Sequence, residues 1–405
     1  MHINKLRFVL VLATILFVGT TGFLGSLYAR GYRFNFKSLV FEPRGILVVK
    51  SDPTGAQILV NGNQKAISDA SVNLVPGVYD VEVKRDGFLT WSKRLTIEKE
   101  VVTQVMPFLF KSAPSLSPVT FSGCVNPVAS ADFTKIAFLI NPTNGNNREK
   151  TGLWLLETVN FPLGFSKDAR QITDGSLEGA TFVFSPTGRE ILLTSKQGVY
   201  LLDTGSFTTQ NQRVNVSSRK AEILKGWEKE KKTKLEAQIK TLPSDLADIL
   251  SRKAKTVIFS PDDTKIMYEA SGSATLKEGL VKALPGSSTQ KQDRDIKPGN
   301  IYIYDIKEDR NFFIGESSYD LALGSENTEN TQRRLAWFPT SKHLVYAEYG
   351  KITVMDYDST NHQMVFTGSY ISPAAFPFGS TEKLLILTNL GGETENQNLY
   401  SLSLK

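Results

Sequence analysis

The sequence predicts an all-β chain: an N-terminal transmembrane helix, a small β-sandwich, and a β-propeller interrupted by a helical insertion. Three observations carry this expectation. Residues 8–28 contain no charged side chain. Residues 44–110 alternate apolar and polar side chains between Asn-Gly and Asp-Gly turns. Beyond residue 114 one phrase recurs, as ATFVFSPTGREILLTSKQGVYLLD from Ala180, TVIFSPDDTKIMYEA from Thr256 and RRLAWFPTSKHLVYAEYGKITVMDYD from Arg333. Each copy is an apolar strand, a Ser-Pro or Phe-Pro turn, a charged loop and a further strand. Such a unit cannot bury its own apolar face and must stack on neighbours.

The layout that follows is a signal anchor over residues 1–30, a juxtamembrane linker over 31–43, the sandwich over 44–110 and the propeller over 114–405. The helical insertion occupies 218–253. A length of 405 residues suits two or three domains. The formal net charge of +6 is small and spread along the chain, which argues against a nucleic-acid partner. Cys124 is the single cysteine, so an intramolecular disulfide cannot form. With His2, His343 and His362 as the only histidines, a histidine–cysteine metal cluster cannot be assembled, and no cofactor is called for.

The run FVLVLATILFVGTTGFLGSLY, residues 8–28, is long enough to cross a bilayer as a helix. Lys5 and Arg7 precede it, as in an export signal. The sequence after it, SLYARGYRF, lacks a clean small-x-small cleavage site, so an uncleaved anchor is expected. Arg30, Arg33, Lys37 and Arg44 follow the span, and counting positive charges alone would place the C-terminal part in the cytoplasm. The export-like start favours the opposite orientation. The expected location is the cell membrane, single-pass, with the C-terminal domains extracytoplasmic and the lipid bilayer contacted through residues 8–28.

In the sandwich, ILVVK from Ile46 is the first strand. An Asp52-Pro53-Thr54-Gly55 turn follows, then a strand through Ile58 and Val60, then the Asn61-Gly62 turn. Asn-Gly favours a two-residue hairpin because both positions tolerate positive φ. Tyr79, Val81 and Val83 alternate with Asp80, Glu82 and Lys84, which puts one face on a core and the other in water. Six short strands are expected. On Pro53-Thr54-Gly55-Ala56, Asn61-Gly62, Pro76-Gly77 and Asp86-Gly87-Phe88, this stretch resembles the PEGA domain. It departs from that pattern at Thr54, where the family has glutamate, and at 65–69, where a Gly-x-Thr-Pro segment is missing. The resemblance implies a non-catalytic accessory module of envelope proteins, serving as a spacer or contacting carbohydrate or protein.

From Pro114 onward five repeats can be laid out, so five blades are favoured, with six as the alternative if one hides between Thr204 and Ser251. LSPVTFSG, from Leu116, stands before the first repeat and is expected to supply the missing outer strand of the last, closing a ring that removes sheet edges. Phe184-Ser185-Pro186-Thr187-Gly188 and Phe259-Ser260-Pro261-Asp262-Asp263 resemble the turn phrase of TolB-type propellers, with Trp337-Phe338-Pro339 a weaker copy. The combination of span, PEGA-like domain and TolB-type propeller resembles a class of bacterial envelope proteins.

Between the second and third repeats a lysine-rich helix is expected from Ser218 to Lys240, and a short one from Ser244 to Arg252 with Ser244 as its cap. Insertions in repeat folds often form the binding face. The candidate interaction surface is therefore Leu224, Trp227, Lys231, Lys232, Leu235, Ile239, Leu246 and Leu250, and removal of residues 219–253 is expected to spare folding.

Catalysis finds no constellation. There is no Gly-x-Ser-x-Gly elbow. His343 and His362 fall in turns, where solvation is expected, and Cys124 reads as a small buried filler. Asp262 and Asp263 make a turn rather than an acid–base pair. The tips at 144–147 and 391–393 lack the context of a phosphate loop. The expected function is a membrane-anchored, outward-facing, non-catalytic interaction or scaffold protein. It would bind an envelope protein or a cell-wall or surface glycan through the propeller face or the insert. An envelope hydrolase with its site in the propeller funnel is the alternative.

Overall fold

The computed structural model describes residues 2–36, 40–141, 150–158, 168–282, 288–317, 321, 333–378, 382–390, 392 and 396–405. The chain forms two compact units, Met1–Leu109 with Ala283–Gln290, and Phe110–Lys282 with Lys291–Lys405.

In the first unit, α1 (His2–Ala29) contains the apolar run. Its stretch Arg7–Ala29 is long and apolar enough to cross a membrane, and none of it is buried. The same length and composition also serve as a signal sequence. At its end the amide of Tyr32 donates to the Leu27 carbonyl and that of Gly31 to Tyr28, with Gly31 at φ +90°. This is the left-handed glycine stop that satisfies the orphan carbonyls of a last turn. A two-stranded hairpin follows directly, β1 (Arg33–Asn35) on β2 (Val40–Glu42).

Two sheets then make the sandwich. In one, β3 (Gly45–Val49) lies between β6 (Ala70–Leu74), antiparallel, and β9 (Val102–Val105), parallel. In the other the order is β5 (Asn63–Ile67), β4 (Gln57–Val60), β7 (Gly77–Lys84), β8 (Trp91–Ile97). Asn61 and Gly62 have φ of 49° and 76° between the paired residues Val60 and Asn63, the geometry of a two-residue primed turn. The core joins Leu47 and Val49 of one sheet to Ile58, Val81, Val83, Trp91, Leu95 and Ile97 of the other. Where six strands were expected there are seven. The extra one, β5, covers Lys65, Ala66 and Ile67, in the place of the missing family turn, because the tight Asn-Gly reversal leads straight into pairing with β4.

The second unit holds β10 (Ser115–Pro118), β11 (Val125–Ala129), β12 (Lys135–Ile140), β13 (Gly152–Glu157) and β14 (Arg170–Asp174). After these come β15 (Thr181–Phe184), β16 (Glu190–Ser195), β17 (Gly198–Asp203), β18 (Ala254–Phe259) and β19 (Lys265–Ala270). The chain continues with β20 (Ala274–Thr275), β21 (Asp295–Ile296), β22 (Asn300–Asp305), β23 (Arg310–Glu316), β24 (Arg334–Trp337) and β25 (His343–Glu348). The last strands are β26 (Lys351–Asp356), β27 (Gln363–Thr367), β28 (Ala375–Pro377), β29 (Lys383–Thr388) and β30 (Asn398–Ser403). They form antiparallel sheets in the orders β11-β12-β13-β14, β15-β16-β17, β18-β19-β22-β23, β24-β25-β26-β27 and β10-β30-β29-β28, with β20-β21 a short separate pair. Strand β10 does pair with β30, Ser115 opposite Ser403. The fourth strand expected of the second repeat, QRVNVSS, is reduced to a bridge between Tyr200 and Asn215.

The recurring phrase is a six-residue loop closed at both ends. Ser130, Ser185, Ser260 and Phe338 donate their amides to the carbonyls of Lys135, Glu190, Lys265 and His343, at 2.8 to 2.9 Å. In the first three copies the serine hydroxyl accepts the returning amide as well. The fourth loop position is left-handed every time, at Phe133, Gly188, Asp263 and Ser341. The loop explains the hairpins locally, and it stops there. Among the described residues no sheet closes into a barrel or a propeller, and each remains open, with two edge strands. The expected all-β propeller, of five blades or six, and its TolB-type assignment are therefore corrected. The fold is mixed α/β, with the PEGA-like sandwich retained. The turn phrase specifies which neighbouring strands pair, whereas closure is a property of contacts far apart in sequence that no hairpin signal encodes. The alternative of a hydrolase in the propeller funnel loses its site with the funnel.

The insertion comprises α2 (Lys220–Ile239) and α3 (Ser244–Arg252), preceded by a 3-10 turn at Ser217–Arg219. Pro243, not Ser244, occupies the cap position of α3, and no side chain caps it. Ile239, Leu246, Ile249 and Leu250 bury against Ile266, Tyr268, Tyr302 and Tyr304 of the β18-β19-β22-β23 sheet.

Candidate functional site: an open groove on the sandwich

Strands β5 and β6 are edge strands of the two different sandwich sheets, and the chain joins them directly. Where these edges meet, a groove of about 310 Å³ opens. Val60, Val72, Leu74 and Val75 make its apolar floor, and Arg44, Asn61, Asn63, Lys65, Asn73 and Tyr79 supply its polar groups. Its size falls in the range of small-ligand sites.

Local structure fixes several of these groups. The Asn61 carboxamide oxygen accepts the Asp80 amide at 2.9 Å, which locks the turn against β7. Asn63 donates to the Asn61 carbonyl at 3.2 Å. The Tyr79 hydroxyl donates to the Val75 carbonyl at 2.8 Å and orients its ring at the rim. The Arg44 Nε is buried and has no hydrogen-bond partner among the described residues. Two cations and no carboxylate line the groove. The set can hold a polyhydroxyl or anionic ligand through charge-assisted and amide hydrogen bonds. It contains neither a nucleophile paired with a base nor a metal-ligand cluster. Among the described residues no group of three or more His, Cys, Asp or Glu could hold a metal ion.

The structure divides the sequence-predicted surface. Lys231 and Lys232 are exposed on α2, and Leu224 and Trp227 are half-buried. Leu235 packs at the margin of the core cluster that contains Ile239, Leu246 and Leu250. The last three are 7%, 0% and 2% exposed and are not free to meet a partner. The helix pair is thus continuous with the core, and removing residues 219–253 would take Ile239, Leu246, Ile249 and Leu250 out of that cluster.

His343 is not solvated as expected. It is 4% exposed, faced by the Phe110 ring at 5.5 Å. Its Nδ1 lies 2.7 Å from the Thr340 hydroxyl and its Nε2 3.4 Å from Asp356 Oδ1. A hydroxyl–imidazole–carboxylate chain is present, but it occupies the same loop-closing position as the buried Lys265–Asp305 pair, 3.5 Å apart, one sheet earlier. Its place in the repeat reads as structural. His362 is exposed, its Nε2 3.1 Å from the Ser359 carbonyl oxygen. Cys124 is fully buried, and burial pushes its thiol pKa well up, away from thiolate chemistry. The tip at 144–147, Gly391, Glu393 and Lys37 lie outside the described residues.

Sequence reading missed the groove because its lining comes from separate turns and strand edges, of which only Asn61 belongs to a recognised motif. A signal was present in the edge position of the strand after Asn61-Gly62, which exposes Asn63 and Lys65 together.

Comparison with known proteins is consistent with the sandwich and sparing elsewhere. No curated protein matches the chain in sequence. Among solved structures the chain is similar to a putative TolB from Agrobacterium tumefaciens, at 11% identity over 67% of this chain and 76% of that one, with a TM-score of 0.22. It is similar also to TolB from Acinetobacter baumannii, at 12% identity over 90% of this chain and 64% of that one, with a TM-score of 0.18. The AfRom2 CNH domain matches at 9% identity over 71% of this chain and 98% of that one, with a TM-score of 0.28. Likeness at these scores carries no argument about fold or function. Residues 44–109 match the family model of the PEGA domain, and this part of the chain is a PEGA domain.

Proposed function

We propose that the protein is held at a membrane by α1 and acts outside the cytoplasm as a non-catalytic binding protein, taking an envelope glycan in the groove of its PEGA domain. The observation that carries this reading is the groove itself. It offers two cationic groups, three carboxamides and a tyrosine ring, with no carboxylate among them. Planar amides and an aromatic face suit sugar hydroxyls and ring faces, and the cations favour a glycan carrying carboxylate or phosphate. The uncovered apolar helix a few residues upstream supports placement at a membrane.

The test is co-sedimentation of the full-length protein in detergent with insoluble envelope glycan, beside Lys65→Ala and Asn73→Ala. Both side chains are exposed, so neither change should perturb folding. Binding weakened about tenfold by each, and weakened further by salt, is expected. Equal sedimentation of all three proteins would remove the groove from the reading. A second reading, docking of an envelope protein on α2, is favoured by exposed Lys231 and Lys232 flanking half-buried Trp227, and would show as capture lost in Trp227→Ala with glycan binding intact.

A further inference from the structure

The hairpin that follows α1 is unusual for a strand pair in water. Phe34, Phe36, Val40 and Phe41 are 39%, 84%, 52% and 37% exposed. The three rings gather on one another, Phe34 to Phe36 at 5.2 Å and Phe34 to Phe41 at 5.2 Å. A solvated two-stranded hairpin gains nothing by presenting an aromatic cluster outward, and such patches mark interaction surfaces.

Its position is set by covalent and hydrogen-bonded continuity with the helix. The Gly31 stop leaves only Arg30, Gly31 and Tyr32 between Ala29 and Arg33. The Arg33 guanidinium donates to the carbonyls of Tyr28 and Tyr32, each at 3.0 Å, and lies 3.8 Å over the Tyr28 ring. On the other side the Tyr32 hydroxyl donates to Glu100 of the sandwich at 2.8 Å. The apolar stretch Arg7–Ala29 rises about 34 Å as a helix, against a hydrocarbon core of about 30 Å. Its last turn, and the hairpin tied to it, therefore fall at the level of the lipid headgroups. Aromatic side chains with neighbouring arginines are the composition that level favours.

We infer that Phe34, Phe36, Val40 and Phe41 form a lipid-contacting foot, seated in the interfacial layer of the bilayer that α1 crosses. The inference rests on α1 being a retained membrane span. The foot fixes the height and tilt of the PEGA domain above the membrane, because the same short segment is bonded to both. A second copy of the chain, or another protein, would cover the rings from solvent without lipid.

The experiment uses full-length protein in phosphatidylcholine vesicles with nitroxide labels at single introduced cysteines. Cys124 is fully buried and does not compete. Labels at Val40→Cys, Thr20→Cys and Lys231→Cys report collision with oxygen, which partitions into lipid, and with a water-soluble nickel chelate. The expected oxygen-to-nickel ratio at Val40 lies between the other two and several-fold above Lys231, and falls toward Lys231 when Phe36→Ser and Phe41→Ser are added. A ratio at Val40 equal to that at Lys231, with Thr20 in hydrocarbon, overturns the foot while leaving the span. Shielding of Val40 from both reagents overturns it in favour of a protein contact. An aqueous Thr20 overturns the span, and the foot with it.

Discussion

Asp262 shows how a single side chain sets a repeat. Burial pushes its pKa up, but hydrogen bonds from Ser260 and Thr264 outweigh that and hold it at about 2, against an ordinary 3.8. Because the folded value is depressed, the stabilisation is present above the ordinary value and is lost as pH falls through about 2. The carboxylate is exposed, so after discount for solvent the contribution is about 1 kcal/mol. Asp262→Asn should lower the unfolding free energy from urea denaturation by about 1 kcal/mol at pH 7, and the difference should shrink steadily between pH 4 and pH 2. A pH-independent difference would mean that geometry, not charge, closes this loop. Gly152 makes a sharper case. Its φ of +145° and a Cβ that would land on the Thr173 carbonyl oxygen leave no room for any side chain. Gly152→Ala should cost about 2–3 kcal/mol in equilibrium unfolding. A loss below about 0.5 kcal/mol would show that β14 can move aside. Turn residues such as Asn61-Gly62 and Ser260-Pro261-Asp262-Asp263 were readable in the sequence because their conformational demands are local. The role of His343 was not. It follows the polar Thr340-Ser341-Lys342 turn, and the packing of Phe110 and Phe338 against it makes it interior.

At the scale of elements the insertion separates what periodicity shows from what it hides. The sparse apolar stripe of α2 and α3 was visible, as were the two helices themselves. Whether the stripe meets solvent, a partner or the fold's own core was not, since all three use the same spacing. Tertiary packing decides: Leu246 is fully buried beneath the sheet, whereas Lys231 and Lys232 project from the solvent side. Leu246→Ala should therefore destabilise the protein by about 3 kcal/mol through the cavity it leaves. The pair Lys231→Glu, Lys232→Glu should change stability by less than about 0.5 kcal/mol. Urea denaturation of the three proteins checks both statements, and a stable Leu246→Ala variant would mean that α3 does not share the core. The sandwich groove lies at the same scale. It arises where the edges of two sheets converge, and a strand's edge position depends on pairing partners far along the chain, which a local pattern does not name.

At the scale of the whole chain, locally encoded parts and globally encoded arrangement come apart. The repeated loop places most of the strands of the second unit, and β10 reaches across the sequence to pair with β30. Even so, sheet closure did not follow from hairpin chemistry, because each loop constrains only the strands beside it. The N-terminal helix is the converse case. Length and composition alone reveal it, and nothing in the fold depends on it. No described side chain of α1 enters the sandwich core, and those from Arg7 to Ala29 are exposed except Leu27, which is half-buried. A chain beginning at residue 31 should therefore have the same unfolding free energy in urea denaturation as the full-length protein, within about 0.5 kcal/mol. Its partitioning should change completely. Full-length protein should stay with membranes through alkaline carbonate extraction, because roughly 20 apolar residues in hydrocarbon are not released by titrating surface charge. The truncated chain should appear in the supernatant, since interfacial aromatic contacts alone give reversible binding. Truncated protein that remains in the pellet would locate the dominant membrane attachment elsewhere. Loss of folded signal would show that α1 stabilises the sandwich through contacts its exposure does not suggest.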